Sequence, residues 1–197
     1  MSIEAHSDIR EYFRTCVVSA LKRQSVRTQE RTEFYLVNLL AEYAVGAPGH
    51  DYERPLVDLL TEAMAADGAE QLRRFRDMGD GALYRTGFFA EHLIQRGIAR
   101  DYVMAMGGRA YGAARQMAHQ YHRSSDASFA DVYGELASRF GEFVRVLDDV
   151  KERTALRTPQ DIIKLYERWR LTQSPVLAQR LRQVGLFPQL NPSKTAH

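Results

Sequence analysis

The stretch whose reading decides the fold is Ser128–Arg153, SFADVYGELASRFGEFVRVLDDVKER. Its apolar residues recur at Phe129, Val132, Tyr133, Leu136, Phe140, Phe143, Val144 and Leu147. Steps of three and four put all of them on one face of an α-helix, whereas a half-buried strand needs strict alternation. So wide an apolar stripe has to be covered, and it predicts one long helix packed among others.

The same spacing extends in both directions along the chain. Ile9, Tyr12, Phe13, Cys16, Val17, Ala20 and Leu21 form an N-terminal stripe behind Ser7 as N-cap. Glu30–Val45 is apolar on most of its circumference, and the following GAPGH stops it. Pro55 opens a third helix, with Gly68 as its stop. A short fourth helix over Glu70–Met78 is expected to break at Gly79-Asp80-Gly81, with Asp80 capping a fifth over Ala82–Arg96. Gly97 ends that one, and a sixth runs over Arg100–His122. Thr158-Pro159 and Ser174-Pro175 announce two more.

The fold class is therefore all-α: one compact multi-helix bundle of about eight or nine helices with a C-terminal helical hairpin. Residues 1–157 form the bundle core, 158–185 the hairpin packed on the same domain, and 186–197 a partly disordered tail. Helices two, six and seven are expected at the centre. The sixth is dense in glycine (Gly107, Gly108, Gly112), and each interior glycine costs about 1 kcal/mol relative to alanine. Close backbone approach is the usual compensation. It predicts that helices six and seven cross through their small residues, Gly134, Ser138 and Gly141 included.

Composition narrows the function classes. The 197 residues are 45% hydrophobic, enough for a contiguous core, and the net charge of +2 gives no whole-molecule field for nucleic acid or membrane. The start, MSIEAHSDIR, has neither the basic cluster nor the apolar run of a secretory signal. No segment approaches the roughly 20 apolar residues of a membrane helix. Cys16 is the single cysteine, which excludes an internal disulfide and suits a cytoplasmic location. Its place inside an apolar stripe reads as a core thiol rather than a nucleophile.

Three constellations carry chemistry. The segment Gly79–Gly112 interleaves arginines with aromatic residues, and Arg85, His92, Arg109, Tyr84 and Tyr111 form a candidate cleft for a small anion. Guanidinium forks bind carboxylates and phosphates, and tyrosines supply an apolar wall with a polar tip. The competing reading is an Arg–Asp pair, through Asp80 or Asp101, that only fixes helix packing. His92, His119 and His122 are candidate metal ligands, the last two sharing a helix face, with Glu91 as a further carboxylate. Protonated histidines at a helix C-terminus also arise simply from the macrodipole. Arg168, Arg170, Arg180 and Arg182 on the C-terminal helix pair share the arrangement of a helix-turn-helix, without its usual turn glycine.

The leading expectation is a non-catalytic interaction or regulatory protein, with another protein or a second copy as partner and no cofactor. It rests on the absence of a catalytic constellation. The first alternative is a small-molecule (anionic ligand or metal) binding protein or enzyme using the cleft around Arg85, His92, Arg109 and Tyr111. The second is a DNA-associated regulator acting through the hairpin. Convergence of Arg85, Arg109 and His92 on one cavity would favour the first alternative.

Overall fold

Helix is the only regular structure among the described residues, and no strand occurs in them. The computed structural model describes residues 3–45, 54–120, 129–153, 159–172, 174–183 and 186. They form α1 (Ile3–Arg23), α2 (Glu30–Val45), α3 (Leu56–Ala65), α4 (Gly68–Phe88) and α5 (Ala90–Gln95). After these come α6 (Arg100–Gln120), α7 (Ala130–Ser138), α8 (Phe140–Arg153), α9 (Pro159–Thr172) and α10 (Pro175–Gln183). The all-α class is as the periodicity predicts. One boundary moves at the start, where α1 begins at Ile3 and so includes Ser7 instead of being capped by it.

The main departure from expectation is α4. Gly79-Asp80-Gly81 does not break it: the helix runs unbroken through the triplet to Phe88, and Asp80 caps nothing. Gly68, expected to stop α3, instead opens α4 with φ +54. Every residue from Met78 to Phe88 is buried. Helix propensity, which argues against two glycines and an aspartate mid-helix, is overridden by what the missing side chains admit. A Cβ on Gly79 would lie 2.8 Å from two ring carbons of Tyr111, and one on Gly87 would lie 2.5 Å from Leu147 Cβ. The glycines thus let α6 and α8 close onto α4, and the packing of α4 against α6 is the most extensive in the molecule. The centre is therefore α4 with α6, rather than the expected trio of helices two, six and seven.

The predicted approach of the sixth and seventh helices is present. Gly107 faces Phe140, where a Cβ would come within 2.5 Å, and Gly134 faces the Arg115 stem at 3.0 Å. Gly112, in contrast, has nothing within 4 Å. The single long helix expected over Ser128–Arg153 is two, interrupted at Arg139 (φ -121, ψ 26). Arg139 holds the junction: its guanidinium donates to Glu135 at 2.8 Å, to Glu142 at 2.6 Å and to the Arg27 carbonyl at 2.6 Å. The break lets α7 pack on α6 while α8 packs on α4 and α1. Phe140 and Phe143 stay inward across it, so the apolar period carries no trace of the interruption.

The pair α9 and α10 buries Ile162, Tyr166, Trp169 and Leu181 in the same apolar cluster as the rest of the chain, with α9 resting on α2. Of the expected tail only Leu186 is among the described residues, and it is buried in that cluster; 187–197 lie outside them. No helix among the described residues is long and apolar enough to cross a membrane.

Candidate functional site

A cleft of about 460 Å³ opens where α3, the end of α4, α5 and the start of α6 meet. The Gly97 turn (φ +68) ends α5 and sends the chain into α6, which brings His92 and Leu93 opposite Tyr102 and Val103. Leu56, Leu93 and Val103 are buried beneath it, and Phe89 forms a side wall. Seven large hydrophobic residues are exposed among the described residues, and three of them, Val57, Ile98 and Tyr102, stand around this cleft. Apolar surface left in water beside a concave apolar floor is a usual sign of an unfilled binding site.

Arg54, Arg85, Arg96 and His92 line the cleft, and no acid is among its described lining residues. Arg85 is 8% exposed and donates from Nη1 to the Arg54 carbonyl at 3.0 Å, so its guanidinium is fixed in place. The Arg54 guanidinium bonds outward to Glu62, which also holds Arg74 at 2.6 Å. Arg96 and His92 are exposed at the rim. A buried, positioned guanidinium with two exposed basic groups at the edge is suited to an anionic head group on an apolar body.

The expected site residues divide between three places. Arg85 and His92 both line the cleft, two of the three groups whose convergence would favour the anion reading. Arg109 does not: α6 buries Gly107, Ala110, Tyr111 and Ala114, and Arg109 falls on the opposite, exposed face. Tyr84 is fully buried in a ring stack, 4.0 Å from Tyr43 and 5.2 Å from Phe88 between centroids, and does not line the cleft. Tyr111 is also fully buried, and its hydroxyl donates to Asp80 at 2.6 Å. Of the acids in the packing alternative, Asp80 accepts from the hydroxyls of Tyr35 and Tyr111, and Asp101 is exposed.

The metal candidates are separated. His92 lies beside the start of α6, and His119 nineteen residues along that helix, which at the usual rise is about 28 Å away. His119 instead lines a shallow depression with Arg115 and Gly134. His122 lies outside the described residues, within which no group of three His, Cys, Asp or Glu side chains is placed to hold a metal ion. Glu91 pairs with Lys151 at 2.7 Å, tying α5 to α8. Arg168, Arg170, Arg180 and Arg182 are exposed on α9 and α10. Cys16 is half-buried, and burial pushes its thiol above the ordinary value. Asp149 accepts from Arg23 Nε at 2.8 Å, joining α8 to α1.

Arg54 and Arg96 are not among the site residues that the sequence points to. Arg54 stands at the mouth of α3, outside the Gly79–Gly112 segment, and its one available signal is its position directly before the Pro55 helix start. No protein-family model matches the chain, and no curated protein or solved structure matches it. The class it defines is an all-α protein with a basic-rimmed apolar cleft.

Proposed function

We propose that the protein binds a small amphiphilic anion, a carboxylate on an apolar body, in the cleft around Arg85. What supports this reading is the basic lining of the cleft: Arg85, Arg96 and His92 over an apolar floor, with Arg54 paired to Glu62 and no acid among the described lining residues. The carboxylate meets Arg85 and Arg96 while its apolar body covers Leu56, Leu93 and Val103. The protein-interaction and DNA readings have no comparable observation of their own, although Val57, Ile98 and Tyr102 at the mouth would also meet any partner seated there.

Calorimetric titration with decanoate, decanol and decylamine tests the proposal. Decanoate binds best, and Arg96→Glu, a change at an exposed position, weakens it about tenfold by placing like charges together. Failure of decanoate to bind at millimolar concentration overturns the reading, as does equal affinity for decanol or for the variant.

A further inference from the structure

A second cavity, of about 420 Å³, lies between α2, the middle of α4 and α7, and shares no lining residue with the cleft above. Asp80 lines it while being only 6% exposed. Tyr35 and Tyr111 both donate to its Oδ1, each at 2.6 Å. Among the described residues no donor is bonded to Oδ2. A carboxylate buried to this degree is costly to ionise. Burial and the Asp80 charge hold both tyrosines well above their ordinary value, so they remain hydroxyl donors.

The surroundings indicate what ligand chemistry suits the cavity. Tyr35, Phe129 and Tyr133 form a ring wall, with centroids 5.9–6.3 Å apart. Phe34, 60% exposed on the outer side of α2, completes it at the mouth. Arg76 is the basic group nearest the floor, but it donates to Asp77 at 3.0 and 2.8 Å. Arg10 and Glu42, of opposite sign, stand exposed on the rim. Among the described residues Tyr43 on α2 also feels the Asp80 charge, and burial holds it well above its ordinary value. Arg76 also favours the ionised form of Asp80, and it is shared with Asp77, so two carboxylates meet one guanidinium here, framed by aromatic faces. Aromatic faces attract cations, and a carboxylate oxygen accepts N–H donors.

We propose that this cavity is a binding site for a small organic ammonium ion carrying an aromatic ring, with its N–H donated to Asp80 Oδ2 and its ring against Phe34 and Phe129. The bound cation adds to the partial countercharge that Arg76, shared with Asp77, provides. The site is independent of the anion cleft, so the two readings stand or fall separately.

Benzylamine is the probe, with benzyl alcohol and benzoate as its neutral and anionic counterparts, titrated calorimetrically into the full chain at pH 8. Benzylamine binds, and it binds more tightly than either counterpart. Asp80→Asn keeps the shape but removes the charge and weakens benzylamine by about tenfold or more. Phe34→Ala removes an exposed ring, which the fold does not need, and weakens it severalfold, so the proposal stays testable if the Asp80 variant folds poorly. Lowering the pH to 5 protonates Asp80 and weakens binding in the wild type. No benzylamine binding at millimolar concentration overturns the proposal. So does affinity for benzyl alcohol matching that for benzylamine, or unchanged benzylamine affinity in Phe34→Ala.

Discussion

Replacing Asp80 with asparagine is expected to stabilise the protein at pH 8, although the change falls in the centre of the core. The Asp80 carboxyl is raised from an ordinary 3.8 to about 6, first by burial, against which the two tyrosine bonds and Arg76 act. Its value in the folded chain thus lies above that in the unfolded chain. Below pH 3.8 both states hold the proton and the group contributes no difference. As pH rises from there to about 6, the unfolded chain releases its proton first, and folding loses stability. Above that range the loss is constant. A shift of roughly two units at 1.36 kcal/mol per unit makes it about 3 kcal/mol. The asparagine side chain retains an oxygen for Tyr35 and Tyr111 without the charge, so the gain at pH 8 is at most about 3 kcal/mol. For a chain of this length the unfolding entropy is about 0.4 kcal/mol/K, so Tm rises by up to about 7 °C. Thermal melts followed by circular dichroism at pH 4, 6 and 8 measure it, as the difference between variant and wild type. The exposed glutamates whose values are lowered by arginine or lysine partners, such as Glu62 and Glu142, titrate alike in both proteins and cancel. A difference that is flat with pH, or a variant less stable at pH 8 than at pH 4 relative to wild type, would refute the reasoning.

Three further outcomes follow from the same helix pairing. Tyr111→Phe removes one of the two hydroxyls that favour the ionised carboxylate, so the Asp80 midpoint moves above 6; a carboxyl NMR titration with an unchanged midpoint would count against the network. Gly107→Ala places a methyl group 2.7 Å from Ala82 Cβ, which is fixed to the backbone and cannot yield, and costs about 1–3 kcal/mol in urea denaturation. Gly112→Ala on the same helix meets nothing within 4 Å and gains about 0.5–1 kcal/mol, so equal effects at the two positions would show that α6 is not packed as described.

The candidate sites are only partly legible in the sequence. Arg85 and His92 lie seven residues apart and end on one cleft, because α4 stops at Phe88 and α5 turns back beside it. Arg109 stands out for its glycine neighbours, yet Gly107, the closely packed one, serves the opposite face of α6. The strongest polar feature, Asp80, reads locally as a cap. A short-range reading sees glycine on either side of an acid and concludes that the helix ends. It has no means of knowing that the Tyr111 ring, thirty-one residues away, occupies the space beside Gly79 and bonds the same acid.

By itself the sequence determined the helical class, most helix starts and stops, and the inward faces. These depend on spacings of three and four and on local backbone chemistry at Pro55, Gly97, Pro159 and Pro175. Tertiary structure alone decided that α4 runs through Gly79-Asp80-Gly81, that the Ser128–Arg153 stripe is split at Arg139, and which charges share a cavity. Those outcomes are set by contacts between residues distant in the chain. Burying Tyr111 and Tyr43 against a glycine-bearing helix outweighs the local cost of the glycines, and no window of neighbouring residues contains that energy.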